Sequence, residues 1–213
     1  MTKITKVEKI ELPTYLYVYD ILCDPFLISW ILHEDNSSRT VQKLVDSKIW
    51  PAYIIGFRRI FKAYSKKFGL ILTLEYTGSR VDEVWGMVIE IDNEDELSKI
   101  LKLYEDTELE YYHIDDIYYT DGSVSEGYFI KPREIEGMNM ELPHCIYISK
   151  ICNAANFWDR RVRGYKWKFF KNIYNIDGIP ILATSCRCVL TDYKGEIHEI
   201  QCNCEPDGLI CKI

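Results

Sequence analysis

Three acidic residues, Glu105, Asp106 and Glu108, follow the clearest helical pattern in the sequence. Apolar residues recur at helical spacing between Asn93 and Glu105, and Asn93 is a favourable residue for capping the start of a helix. A carboxylate at the C-terminal end of a helix is disfavoured by the helix dipole, and the acidic neighbours add repulsion. Both effects favour the protonated carboxyl, which suits Glu105 to general acid–base catalysis. A solvated acidic loop is the alternative interpretation.

Four cysteines form two Cys-x-Cys pairs late in the sequence, Cys186 with Cys188 and Cys202 with Cys204. Residues two apart on a strand share one face. A hairpin over residues 179–204, with its turn near Lys194-Gly195, would place Cys186 opposite Cys204 and Cys188 opposite Cys202. The four thiols could then hold zinc, form cross-strand disulfides or pack as small apolar residues. The sequence leaves these three interpretations open.

Other patterns that would carry chemistry are missing from the sequence. The four histidines lack the spacing of a zinc-protease helix, and neither a phosphate-binding P-loop nor a serine-hydrolase elbow occurs. Basic residues between Arg160 and Lys171 alternate with aromatic residues, which is typical of an amphipathic surface element. An anion or a partner could also bind there.

The composition limits the classes of protein to which the chain can belong. Its 213 residues include 26 basic and 33 acidic residues, and this net charge of -7 disfavours nucleic acid as a main partner. No apolar run approaches the roughly 18 residues of a membrane span, and the first residues lack the apolar core of a secretion signal. Eight cysteines in such a chain indicate reduced thiols and a cytoplasmic location. A homodimer is left open.

The elements that must position these residues are a mixture of strands and helices. Helices are predicted to begin at Pro25, which Asp24 can cap, at Asn93 and at His144. A glycine within the predicted 84–91 strand indicates a bulge or a close backbone approach. Strands are predicted at 14–19, 52–64, 70–76, 84–91, 111–119 and 127–130. Because strands and helices do not alternate regularly, the pattern favours the α+β class.

Four blocks of the sequence, in order, resemble the γ-glutamylcyclotransferase superfamily, which includes the plant avirulence-induced relatives. The second block, AYIIGFRRIF (52–61), matches an Ala-x-Leu-x-Gly-Phe/Tyr-x-Leu-x-Phe strand of that family. The third block, DEVWGMVIEI (82–91), matches its Asp-x-Val-Trp-Gly-Val-Val strand. A weaker match, PHCIYISKICNAA, covers residues 143–155. The four blocks are LYVYDILCDP (16–25), AYIIGFRRIF (52–61), DEVWGMVIEI (82–91) and LKLYEDTELEYYHIDDIYY (101–119).

The resemblance covers residues 12–155 and implies a small closed mixed β-barrel flanked by helices. Residues 156–213 would then form an extension, with the basic stretch and the Cys-rich hairpin packed on the same domain. In this family the α-amine of a γ-glutamyl group attacks its own side-chain carbonyl, which forms 5-oxoproline and releases an amine or amino acid. The resemblance implies that Glu105 is the general acid–base residue and that Tyr112 shapes the pocket. No cofactor is implied by this chemistry.

The substrate-binding loop departs from the family pattern. Where the family has Tyr-Gly-Ser-Asn, with a glycine that lets the backbone approach the substrate carboxylate, this chain has Tyr19, Asp20, Ile21 and Leu22. Asp20 adds a carboxylate that repels the substrate carboxylate, and Ile21 supplies no hydroxyl.

Three functions therefore stand as hypotheses. The chain is a γ-glutamylcyclotransferase-like enzyme, or an enzyme of the same fold that acts on another small molecule in specialised metabolism, or a catalytically inactive interaction protein. A closed pocket that faces Glu105 would favour the first hypothesis. A filled barrel with an exposed apolar patch would favour the last.

Overall fold

The computed structural model describes residues 3–135 and 143–174 and, beyond them, the strands β10 to β13. The helices are α1 (Pro25–His33), α2 (Ser38–Ser47), α3 (Glu94–Leu101), α4 (Cys145–Asp159) and α5 (Tyr165–Lys171), with 3-10 turns at Ile21–Cys23 and Lys102–Tyr104. The strands are β1 (Ile4–Val7), β2 (Thr14–Val18), β3 (Ile49–Ile55), β4 (Phe57–Ser65), β5 (Gly69–Tyr76), β6 (Glu83–Ile91), β7 (Leu109–Tyr119), β8 (Val124–Pro132), β9 (Ile173–Tyr174), β10 (Arg187–Thr191), β11 (Ile197–Gln201), β12 (Cys204–Glu205) and β13 (Gly208–Leu209).

Five strands of the main sheet pair in a closed ring. The order is β7, β3, β6, β2 and β8, and β8 pairs back onto β7. The β2–β8 pairing is parallel and the others are antiparallel, while β1 extends the edge of β7 that β3 also uses. The fold is therefore α+β, as predicted, and the expected mixed barrel corresponds to this ring of pairings.

A second sheet of three strands, ordered β5-β4-β9, lies beside the ring. Helix α5 joins it to the ring, because Tyr165 donates a hydrogen bond to the Gly86 carbonyl of β6 and the buried Phe169 lies near β4. In the stretch from Arg160 to Lys171, the basic residue Lys171 is exposed, whereas the aromatic residues Phe169 and Phe170 are buried. Helix α5 is therefore the amphipathic element that the sequence predicted. The predicted boundary between residues 155 and 156 falls inside α4.

Local sequence signals account for the starts of the helices. The Asp24 carboxylate accepts a hydrogen bond of 3.0 Å from the Phe26 N–H, and Pro25 occupies the first position of α1. The Asn93 side chain accepts one of 3.1 Å from the Glu96 N–H at the start of α3. Both predicted caps are confirmed. The predicted helix over 93–105 is shorter than expected, because its last turn tightens into the 3-10 turn at Lys102–Tyr104.

One predicted strand is wrong. The sequence indicated a continuous strand over 52–64, but the chain breaks at Gly56, whose φ of 91° lies in the left-handed region. The residues before Gly56 belong to β3 in the ring, and the residues after it belong to β4 in the second sheet. A single glycine thus transfers the chain from one sheet to the other.

The hairpin in the Cys-rich extension is confirmed, but its predicted register is wrong. Strands β10 and β11 pair antiparallel with Cys188 opposite Ile200, not opposite Cys202. Cys204 lies in β12, opposite Leu209 of β13. Cys186, Cys202 and the predicted turn at Lys194-Gly195 lie outside the described residues.

The interior of the ring is tightly packed. A Cβ atom on Gly86 would lie 2.1 Å from the Val18 carbonyl oxygen, so the predicted close backbone approach in β6 is confirmed. In the part of the chain that the structure describes, no helix combines the length and apolar character needed to cross a membrane.

Candidate functional site

The predicted substrate loop lies at the end of β2, where Tyr19, Asp20, Ile21 and Leu22 are all buried. The chain turns here into the 3-10 helix Ile21–Cys23, which Asp20 caps. One carboxylate oxygen of Asp20, Oδ1, accepts a hydrogen bond of 3.1 Å from the Leu22 N–H. The loop amide that could face a substrate anion is thus bound to the loop's own carboxylate.

The second carboxylate oxygen of Asp20 binds a residue that is distant in the sequence. Tyr104, in the 3-10 turn after α3, donates its hydroxyl hydrogen to Oδ2. Burial raises the pKa of Asp20 to about 6, although the hydrogen bonds from Tyr104 and Leu22 oppose that rise. This side chain is 4% exposed and can take up or release a proton near neutral pH.

Four buried tyrosines surround this carboxylate or lie close to it: Tyr17, Tyr19, Tyr104 and Tyr147. The Tyr19 hydroxyl donates to the Ile130 carbonyl at 3.0 Å, and the Tyr17 hydroxyl donates to the Val84 carbonyl at 2.6 Å. Burial raises the pKa of each tyrosine well above its ordinary value, so all four stay protonated. They act as fixed hydrogen-bonding groups rather than as proton carriers.

Little space remains beside Asp20. The centres of water-sized spheres can occupy about 10 Å³ of the cavity there, which is room for about one water molecule. The cavity is lined by Tyr17, Val18, Tyr19, Asp20, Leu22, Tyr104, Ile130 and Pro132. A γ-glutamyl group is many times larger than one water molecule, so this cavity does not hold it.

Glu105 lies next in sequence to Tyr104 but points elsewhere. Its side chain is exposed and does not line the Asp20 cavity. The following residue, Asp106, accepts hydrogen bonds of 3.0 Å from the Ser65 hydroxyl and from the Lys67 N–H. The structure therefore brings Tyr104, not Glu105, to the loop that begins at Tyr19.

Tyr112 lies in a different place from the other predicted site residues. Its ring stacks on Phe129 with 5.1 Å between centroids, and its hydroxyl donates to Glu110 at 2.9 Å. Burial, followed by the Glu110 carboxylate, raises the pKa of Tyr112 to about 12. Tyr112 lines a surface cleft of about 340 Å³ with Ile4, Phe57, Leu74, Tyr76, Phe129 and Lys131. Asp20 and Glu105 do not line this cleft.

A buried arginine was missed by the sequence reasoning. Arg59 of β4 is fully buried, donates Nη1 to the Phe169 carbonyl and places its guanidinium carbon 4.0 Å from the centre of the Phe169 ring. Its Nε and Nη2 atoms have no hydrogen-bond partner among the described residues. Arg59 occupies the second leucine position of the matched strand pattern, so the signal was a charged residue at an inward-facing strand position.

A metal centre finds no support in the described residues, among which no three His, Cys, Asp or Glu side chains are grouped to hold an ion. The zinc prediction for Cys186, Cys188, Cys202 and Cys204 falls outside the side chains that the structure describes.

Comparisons with known proteins found similar chains among solved structures. No family model matches this chain, and no curated protein matches it. It is similar to the solved structure of a γ-glutamyl cyclotransferase, with 18% identity and a TM-score of 0.47 over 73% of this chain and 85% of that one. An uncharacterised protein from Homo sapiens gives the same values. A protein from Arabidopsis thaliana is 18% identical, with a TM-score of 0.39 over 74% of this chain and 88% of that one.

Proposed function

We propose that this chain is a binding protein built on a γ-glutamylcyclotransferase-like frame and that it does not cyclise γ-glutamyl groups. The observation that carries the proposal is the buried Asp20 carboxylate, which is bound to the Leu22 N–H and to the Tyr104 hydroxyl. Such a binding protein corresponds to the third hypothesis drawn from the sequence, a catalytically inactive interaction protein.

The first support is steric. The substrate loop of the resembled family has a glycine where this chain has Asp20, and that side chain now fills the space within the loop. About 10 Å³ remains, against the several hundred Å³ that is usual for a small-molecule site. A ring of strands with a filled interior is one of the two features that the interaction-protein hypothesis predicts, the other being an exposed apolar patch.

The second support is electrostatic. Above pH 6, Asp20 is mostly ionised, because its pKa is about 6. A substrate α-carboxylate placed against it in a dry site would be repelled by several kcal/mol. The Leu22 N–H, which could have bound that anion, is already occupied. Both the charge and the hydrogen-bonding capacity of the loop therefore oppose a γ-glutamyl substrate.

A second candidate function is the cyclisation itself. It is favoured by the raised pKa of Asp20, about 6, because strongly shifted pKa values are common among acid–base residues. The α-amine would attack the γ-carbonyl, a carboxylate would take the amine proton, and the same group would protonate the leaving nitrogen. Glu105 is the residue that the sequence assigns to this proton transfer, and its exposed position supports the assignment less than burial would.

The other predictions from the sequence belong to the same proposal. The partner is a small molecule or a protein surface, not nucleic acid or membrane, and a homodimer is compatible with it. The net charge of -7 supports the exclusion of nucleic acid as a partner. A cytoplasmic location is proposed on the cysteine content.

The test is the release of 5-oxoproline from γ-glutamyl amino acids, γ-glutamyl amines and glutathione. We expect none from the wild-type chain while an active cyclotransferase, used as the positive control, releases it from the same panel. Release by the wild type would overturn the proposal. Loss of that release in Glu105→Gln or in Asp20→Asn would then show which carboxyl carries the proton.

A further inference from the structure

A second surface cleft lies where the two sheets meet. It has a volume of about 370 Å³, within the range that is usual for small-molecule sites. Described residues make up its whole lining: Ile55, Gly56, Tyr76, Gly78, Ser79, Arg80 and Tyr118. We call it the Arg80 cleft.

One wall of the Arg80 cleft is supported by an aromatic ladder. Tyr118 of β7 stacks on Tyr53 of β3, with 5.3 Å between centroids and 19° between planes. Tyr53 stacks in turn on Trp85 of β6, at 4.7 Å and 16°. These three side chains lie on hydrogen-bonded neighbouring strands. Tyr118 is therefore held in place by the closed ring of strands and not by a loop.

Tyr76 also lines the Arg80 cleft, and it is 51% exposed and nevertheless held in place. Its ring lies against two glycines: a Cβ on Gly56 would come within 3.4 Å of it, and one on Gly78 within 3.6 Å. Phe57 contacts the same ring edge-on, with 5.4 Å between centroids. Two packed aromatic rings therefore line the cleft.

The charge of the Arg80 cleft is opposite to that of the chain. Its lining carries one cation and no carboxylate, in a protein with a net charge of -7. The Arg80 side chain is exposed and forms no hydrogen bond or ion pair with any described residue. By contrast, Arg58 on the neighbouring strand is paired with Glu75. A free guanidinium beside aromatic walls favours an anion that carries a flat ring.

We propose that the Arg80 cleft binds a small molecule consisting of a planar aromatic ring joined to an anionic group. The ring packs against Tyr76 and Tyr118, and the anion pairs with the Arg80 guanidinium, which matches the geometry of a carboxylate or a phosphate. This inference rests on the proposed function in that it names the ligand class of a binding protein. The site is separate from the Asp20 cavity, with which it shares no lining residue.

The test uses two probes, AMP and indole-3-acetate, which carry the same chemistry with a phosphate and with a carboxylate. Binding to the full chain is measured by titration calorimetry, with adenosine and inorganic phosphate as the separated halves of AMP. We expect at least one probe to bind, and each half to bind about tenfold more weakly or worse. The Arg80→Gln and Tyr118→Leu variants should each lose about tenfold in affinity, the size of one good contact.

The matched control is Arg39→Gln, which removes the same charge from the exposed face of α2 and should leave the affinity unchanged. Failure of both probes to bind below about 1 mM would overturn the proposal. Binding that Arg80→Gln and Tyr118→Leu leave unchanged would overturn it as well. The two proposals fail separately: 5-oxoproline release contradicts the binding-protein function, whereas lack of binding to a catalytically silent chain contradicts the cleft alone.

Discussion

The interior loop at Asp20 and the surface cleft at Arg80 hold their charged groups in opposite ways. The Asp20 carboxylate is buried, and both of its oxygens accept a hydrogen bond from the chain itself. The Arg80 guanidinium is exposed and has no partner among the described residues. Space follows the same division, with about 10 Å³ beside Asp20 and about 370 Å³ beside Arg80.

The difference shows that, of these two charged groups, the buried one is not the one that is free to bind a ligand. A buried polar network in which every group is satisfied stabilises one conformation and has no capacity left for a ligand. A partly exposed group between rigid aromatic walls keeps that capacity. The site that the sequence pattern indicated is thus the site that the structure fills, and the recognition surface lies outside it.

The largest expected effect tests how tightly the chain is packed around Gly86. Gly86→Ala should destabilise the chain by more than about 4 kcal/mol, because the new Cβ would lie 2.1 Å from the Val18 carbonyl, a backbone atom of a central strand. Gly122→Ala is the control: its φ of 88° disfavours alanine, but no atom lies within 4 Å, so about 1 kcal/mol is expected. Equal losses in urea unfolding would contradict the packed interior.

The next effect concerns the pH dependence of stability. The pKa of Asp20 rises from 3.8 to about 6 on folding, so between these pH values the folded chain keeps a proton that the unfolded chain has lost. The protonated carboxyl therefore stabilises the fold below pH 4, and this contribution is lost as the pH rises through 6.

Relative to Asp20→Asn, the wild type should lose about 2 kcal/mol between pH 4 and pH 7. Other titrating groups are common to both chains and cancel in the difference. Unfolding free energies from denaturant titrations at a series of pH values provide the check. A difference that stays flat, or that rises with pH, would contradict a buried Asp20 with a raised pKa.

A smaller effect is expected at the partner of Asp20. Tyr104→Phe removes the hydroxyl that Oδ2 accepts from, which should cost about 2 kcal/mol. The cost should be greater at pH 8 than at pH 5, because the ionised carboxylate needs the donor more than the neutral carboxyl does.

The control for this change is Tyr165→Phe. It removes a buried hydroxyl that donates to a neutral carbonyl, that of Gly86, at 2.8 Å. Its cost should be similar in size but independent of pH. Thermal unfolding of both variants at the two pH values separates the predictions, and an equal pH response in the two variants would count against the Asp20–Tyr104 bond.

The smallest effect is expected at the cleft. Arg80→Gln should change the free energy of unfolding by less than about 0.5 kcal/mol, because the side chain is exposed and unpaired within the described chain. A larger loss of stability in urea titrations would show that Arg80 supports the fold, and its loss of ligand affinity would then have a structural cause.

Local features of the fold were readable from the sequence. The Asp24 and Asn93 caps depend on neighbouring residues alone. The break at Gly56 was not readable, because a run of strand-forming residues with one glycine in it is compatible with a single strand and with two. Only the pairing partners of β3 and β4, which are distant in sequence, distinguish these cases.

The candidate site was predicted in part, because the sequence indicates the placement of neighbouring residues but not the contacts between distant ones. The helical stripe already included Tyr104, and a residue next to an inward-facing one on a helix turns about 100° away, so the exposure of Glu105 follows from the pattern. The bond from Tyr104 to Asp20 joins residues 84 positions apart, and no spacing rule reveals it. Arg59 was overlooked because its charge suggested an exposed side, although its strand position faces the interior.

The central claim is that the chain's own carboxylate closes the pocket in which a γ-glutamyl group would lie. The most direct measurement is calorimetric titration of the wild-type chain with γ-glutamyl-alanine at pH 7.5, with an active cyclotransferase as the reference. We expect no saturable binding up to about 1 mM. Saturable binding of γ-glutamyl-alanine to the wild type, weakened by Tyr19→Leu at the loop, would contradict it.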